Sequence, residues 1–384
     1  MIKLDSIILE NFRHEYSKYI LNILNFNYKI NKSKMQQLNP FNLQKLGMLF
    51  DNWSIKFLDD LINQPIQYII ANYSEVKKYY EVVQMVYYSK FKINHELARY
   101  GLKRNTSSRQ NFRKQFVQKY SNDWLTQIIK KHPDYFKTDV NFKKMISEVK
   151  EKLLNLNESI LHFINYDFID SIVRHELLVS MDIPVCPYCN RQYITSYYLD
   201  GNQKKTTADL DHFLPKSYFS LFCLSLHNFV PSCQICNSRF KLNKGLEIIN
   251  PYNDNFNANF TVALKQNSEI DSIQGLDSEF ELSLKVNEKN INKKLILENT
   301  AELFQLNNVY QIHKNLVREI LYKNKVYTKT HKEQLKKLFE HDMKLTETDI
   351  NLFLYGNDLS TDNFTLKPLS KLTYDVLKDI NITK

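Results

Sequence analysis

The chain has 384 residues, enough for two or three compact regions, and 43% of them are hydrophobic, which excludes wholesale disorder. Glycine occurs 6 times against 24 tyrosines and 24 phenylalanines, so packed elements should outnumber flexible linkers. A formal net charge of +10 favours polyanionic partners, nucleic acid first, although plain solubility accounts for it equally well.

No apolar run reaches the roughly 18 residues that a membrane span needs, so no membrane association is expected. The first residues, MIKLDSIILENFRHEYSKY, carry charges through their apolar part and lack a small-residue cleavage site. A cytoplasmic protein is expected.

Residues 1–180 read as a helical N-terminal region, suited to nucleic-acid or partner binding. Tyr73, Val76, Tyr80, Val83 and Tyr87 recur at spacings of three and four, which makes one apolar stripe of a core helix. Lys103, Arg104, Arg109, Arg113, Lys114 and Lys119 follow without an acidic residue between them, and Phe112 and Phe116 interleave. Such a segment can track a phosphate backbone or be a solvated basic face.

From Met181 the character changes, and residues 181–250 read as a separate module. Cys186-Pro187-Tyr188-Cys189 and Cys233-Gln234-Ile235-Cys236 are two Cys-x-x-Cys knuckles. Two residues between thiolates let both sulfurs of a turn face one tetrahedral ion, so the two knuckles predict a closed zinc site. A structural zinc of this kind contributes on the order of 10 kcal/mol to folding. The fifth cysteine, Cys223, lies among Leu and Phe and reads as a buried apolar filler.

Between the knuckles, Arg191 to Leu199 alternates as a strand. Asp200-Gly201 signals a hairpin, with Thr206 to His212 as the returning strand. A helix should follow the second knuckle and stop at Gly245. This arrangement would gather a carboxylate (Asp211), an imidazole (His212) and an amide oxygen (Asn237). Phosphodiester hydrolysis uses such a set: oxygen ligands for a catalytic Mg²⁺ or Mn²⁺, and an imidazole to take a proton from water. Arg239, Lys241 and Lys244 should face out of the helix, where they can meet phosphate or solvent. His227 reads as a loop residue, and His175 and His313 as structural.

Residues 251–384 read as a mixed C-terminal region. Phe260 to Leu264 and Phe280 to Val286 alternate as a hairpin, and Asn299 with Glu302 has the spacing of a capping box that opens a helix. Leu306, Tyr310, His313, Val317 and Ile320 then form an apolar stripe. The expected class is α+β and mostly helical, with the zinc module at its centre.

The order Cys-x-x-Cys, Asp-His-x-x-Pro, Asn, Cys-x-x-Cys-Asn and a following Lys resembles the HNH endonuclease family, whose core is the ββα-metal fold. The resemblance implies His212 as general base, Asp211 and Asn237 as ligands of a catalytic cation, and Asn228 as a brace that ties the loop together. The third motif position is Asn237 rather than His, which keeps an oxygen ligand and drops an imidazole. The run Asp-His-Phe-Leu-Pro-Lys-Ser with Asn-Phe-Val-Pro-Ser-Cys is also similar to HNH nucleases of bacterial antiphage defence, such as the nuclease subunit of Septu. That likeness spans about 60 residues and implies double-stranded DNA as substrate and a partner protein such as an ATPase. Two further readings remain open: a zinc-stabilised nucleic-acid-binding module without catalysis, and a toxin that cleaves RNA.

Overall fold

The computed structural model describes residues 1–35, 41, 54–91, 106–200, 203–253, 255–266, 269–339 and 345–382. Helices come first: α1 (Glu10–Met35), α2 (Ile55–Asn63), α3 (Ile66–Asn72), α4 (Ser74–Phe91), α5 (Ser107–Lys119), α6 (Asp123–Lys131), α7 (Asp139–Leu161) and α8 (Ser171–Met181). Ser54, Thr106, Thr138 and Asp170 precede α2, α5, α7 and α8. Each accepts a hydrogen bond from the backbone N–H three residues on. That bond satisfies a donor the first helical turn leaves open.

On α4, Val76, Val83 and Tyr87 are buried as the stripe predicts, while Tyr73 and Tyr80 are half-buried. Tyr79, Val82 and Val86 are buried as well, so this helix is enclosed over more than one stripe. Its aromatic residues meet the middle of the chain: Tyr80 lies 5.7 Å from Phe219 and Tyr87 lies 5.2 Å from Tyr218, ring to ring.

The basic segment differs from the phosphate-tracking expectation. Lys103 and Arg104 lie outside the described residues. Arg113 is fully buried, donating to the Phe136 carbonyl at 2.7 Å and pairing with Asp139. Arg109 pairs with the same carboxylate at 2.6 Å. A buried guanidinium is tolerated when its donors are matched, and here both terminal nitrogens of Arg113 find partners inside the protein, while its buried Nε has none among the described residues. These two arginines hold α5 to the start of α7.

Three small antiparallel sheets follow. The hairpin expectation is corrected here. β1 (Ser196–Leu199) pairs with β2 (Gln203–Thr206), and the returning strand ends there. β3 (Ala208–His212) pairs instead with β4 (Phe229–Cys233), in the register Asp211 opposite Val230 and His212 opposite Phe229. The reason is packing: β4 is buried along its whole length and can cover β3, whereas the side chains of β1 are largely exposed. A π-helical turn, Cys236–Lys241, follows β4 after Gln234 and Ile235.

In the C-terminal region β5 (Ala258–Leu264) and β6 (Phe280–Val286) pair over seven residues, covering both expected runs. Then come α9 (Ile291–Leu303), α10 (Lys314–Val326), α11 (Lys329–Phe339), α12 (Glu347–Tyr355) and α13 (Ser370–Ile382). Asp375 and Asp379 of α13 accept from Phe260 N at 3.0 Å and Val262 N at 2.9 Å, so the helix satisfies the edge of the sheet. Asn299 is not a cap. Asn290 caps α9 by accepting from Asn292 N and Lys293 N, and Asn299 is buried within the helix. The stripe from Leu306 to Ile320 crosses two short turns before α10, with Leu306, Tyr310, Val317 and Ile320 buried. One cluster of buried apolar side chains runs through all three regions, from Met1 to Leu377. No described helix is long and apolar enough to cross a membrane.

Candidate functional site

The two knuckles converge. The ligand atoms of Cys186, Cys189, Cys233 and Cys236 all lie within 4.8 Å of one another, and all four residues are buried. Tetrahedral zinc with bonds of about 2.3 Å separates its sulfurs by about 3.8 Å, so this set fits such an ion. None of the four is in a disulfide. Hydrogen bonding with Cys186 is the largest of the effects that hold the Cys189 thiol far below its ordinary pKa.

The surrounding chain is built to keep the first knuckle. Asn190 takes a left-handed φ of 49°, and its side chain accepts from Lys371 N at 3.0 Å and donates to the Phe364 carbonyl at 2.9 Å. Tyr310 donates its hydroxyl to the Cys189 carbonyl at 2.5 Å. The knuckle is thereby pinned to the start of α13.

Side chains alternate along β3, and the site divides with them. On one face Asp211, only 5% exposed, accepts from the Tyr188 hydroxyl at 2.6 Å and from Lys241 Nζ at 2.9 Å. Lys241 also donates to the His212 carbonyl at 2.6 Å. Two residues earlier, Asp209 accepts from the Asn237 amide at 3.0 Å. Asp209 escaped the sequence reading, although an Asp-x-Asp spacing on a strand puts both carboxylates on one face.

His212, at the end of β3, has other neighbours. Its Nε2 lies 2.9 Å from the Cys223 carbonyl. A carbonyl only accepts, so Nε2 carries the proton and Nδ1 keeps its lone pair. Among the described residues Nδ1 has no hydrogen-bond partner, and the His212 residue keeps 8% of its surface exposed. Burial is the main cause that lowers the imidazole pKa to about 4. The ring packs edge-on against Tyr166 at 4.6 Å and Phe229 at 5.2 Å.

Asn228 is fully buried and holds both ends of the loop between β3 and β4. It accepts from Leu214 N at 2.7 Å and donates to the carbonyls of Leu214 and Phe222, each at 3.0 Å. The N-terminal helices brace the same loop. Tyr16 donates to the Leu224 carbonyl at 2.8 Å, and Asn157 to the Tyr218 carbonyl at 2.8 Å. Cys223, whose carbonyl fixes His212, is itself buried.

Two expectations change at this point. Asp211, His212 and Asn237 do not share one contact set, because strand alternation separates the first two and Asn237 bonds to Asp209. Lys241 does not face out. The turn after β4 is π-helical, with Leu242 N bonded to the Asn237 carbonyl five residues back at 3.1 Å, so Lys241 rotates inward beneath β3. Arg239 and Lys244 are exposed. His175 is buried with Nε2 close to the Lys205 carbonyl at 3.1 Å, and His227 is half-buried near Tyr252.

No protein-family model, curated protein or solved structure matches the chain. The function therefore rests on the geometry of the site.

Proposed function

We propose that the chain is a nuclease of the HNH type that hydrolyses phosphodiester bonds, with DNA as its first substrate. One observation carries the reading: His212 holds a neutral imidazole with its proton fixed on Nε2 and its Nδ1 lone pair without a partner among the described residues. That is the state a general base needs before it takes a proton from water. The frame supports it, since β3, β4 and a helical turn are pinned by four cysteines that suit zinc. Zinc, when bound, supplies rigidity, and the thiolates of Cys186, Cys189, Cys233 and Cys236 hold it.

A catalytic Mg²⁺ or Mn²⁺ would fall to Asp211 and Asn237. As the side chains stand, the Lys241 ammonium neutralises Asp211, and Asn237 is tied to Asp209. This set does not fit a divalent cation while that ammonium stays, and no step is derived through one. The contacts that support the reading are those of Asn228, which fixes the loop, and of the Cys223 carbonyl, which orients His212. Incubating the full chain with plasmid, linear DNA and RNA, with Mg²⁺, Mn²⁺ or a chelator, tests the reading. Absence of cleavage under every condition would leave a zinc-stabilised binding module in its place. We extend the proposal to an antiphage effector acting with an ATPase partner. Its test is phage protection in cells carrying the native chain, and retention of protection by His212→Ala would refute it.

A further inference from the structure

Outside the zinc module, the turn Tyr166–Phe168 and helix α8 bring an aromatic ring and a cation to the edge of His212. The Tyr166 ring contacts the imidazole at 4.6 Å. Lys216 Nζ stands 4.4 Å from the centroid of the same ring, and the Arg174 guanidinium carbon stands 5.4 Å from it. Neither cation has a carboxylate within ion-pair distance, since no such pair exists for either among the described residues. Arg174 spends one donor on the Asp170 carbonyl at 3.1 Å. The nearby Asp170 carboxylate accepts from Val173 N as the cap of α8. Lys216 is exposed and Arg174 half-buried, so both can meet a ligand.

We propose that Arg174 and Lys216, seated on Tyr166 beside His212, form a clamp for the phosphates of a DNA backbone. The inference rests on the nuclease reading of His212 and adds substrate-binding residues that the helical region supplies. The physics favours an anion. Neither cation is in an ion pair among the described residues, although Asp167 lies in the same turn, and a DNA backbone offers both the opposite charge. Guanidinium donors match phosphate oxygens in pairs, whereas the ammonium acts as a point charge. The clamp would be indifferent to sequence, because it meets phosphate rather than base edges. It also gives the N-terminal region a role in the site: α8 carries part of the substrate surface, and Tyr166 ties that surface to the imidazole.

The test uses the full chain in chelator with a short labelled DNA duplex, measuring affinity by fluorescence anisotropy over a salt series. Each phosphate contact contributes about 0.9 to the slope of log K against log salt, so Arg174→Gln/Lys216→Gln should flatten the slope by about 2. Lys216→Gln alone, at an exposed position, should remove about half of that and guards against misfolding of the double variant. The control Lys143→Gln/Lys144→Gln, on the exposed side of α7, should leave the slope unchanged. An unchanged slope in the clamp variants overturns the proposal. So does an equal loss in the control, which would make the effect one of net charge, or an absence of binding by the native chain at low salt. An RNA duplex forms a second arm, and a slope loss confined to RNA would overturn the DNA assignment. The two readings fail separately. Cleavage by His212→Ala refutes the nuclease reading, whereas an inactive His212→Ala beside clamp variants of native slope and native KM refutes only the clamp.

Discussion

Replacing Asn228 by Ala removes three hydrogen bonds at a fully buried position: one from Leu214 N and two to the carbonyls of Leu214 and Phe222. The methyl group cannot reach any of these three backbone groups, which stay buried inside the loop. A buried polar group left without a partner costs roughly 1 to 3 kcal/mol, so Asn228→Ala should lose at least about 3 kcal/mol. Asn228→Asp keeps an acceptor for Leu214 N but turns a charge toward two carbonyl oxygens, so it should be no better. The loss should also be local, because the loop carries the Cys223 carbonyl that orients His212. Urea unfolding reads the first effect, and hydrogen exchange at the Leu214 amide reads the second. A loss under about 1 kcal/mol, with the Leu214 amide still protected, would refute the reasoning.

Other outcomes follow from the same contacts. Lys241→Met strands the buried Asp211 carboxylate and should cost about 3 kcal/mol or more, while Lys241→Met/Asp211→Asn should recover much of it; equal stability of the single and double variants would contradict the pairing. Elemental analysis should find one zinc per chain, and Cys233→Ser should lose metal and unfold at lower temperature; native folding of a metal-free Cys233→Ser would remove the zinc assignment. In any cleavage the chain performs, the acid limb should lie near pH 4 to 5. Burial lowers the His212 pKa to about 4, so the imidazole stays neutral, and able to accept a proton, until pH falls to that value. A limb near 6.5, the ordinary imidazole value, would place His212 in solvent rather than in this pocket.

Which parts of this were legible in the sequence follows from the range of the forces involved. The knuckles were, because two residues between cysteines set the turn locally. The β5–β6 runs were, because alternation and pairing agree over seven positions. Cys223 was read as a buried filler, and it is buried. The partner of β3 was misread: Asp200-Gly201 gives a genuine turn, but β3 is completed by β4, some twenty positions on, through burial that no local pattern reveals. Lys241 was misplaced because the spacing was read at 3.6 residues per turn, while the chain makes a π turn there. Asn299 has a cap's spacing, but the helix had already begun at Asn290, nine residues earlier. Tyr166 and Arg174 gave no local signal. They reach His212 only because α1, α4 and α7 fold around the loop from Leu214 to His227, a tertiary contact between distant segments.

The central claim is that His212 activates water at this site. The direct measurement is phosphodiester cleavage by His212→Ala beside the native chain, on plasmid DNA with Mg²⁺ or Mn²⁺, with zinc content and thermal unfolding followed in parallel. Loss of a general base lowers the rate by about 10² to 10⁴, so cleavage should fall by that factor while zinc content and duplex affinity stay near native. Cleavage by His212→Ala at the native rate would contradict the account and move the chemistry to another part of the molecule.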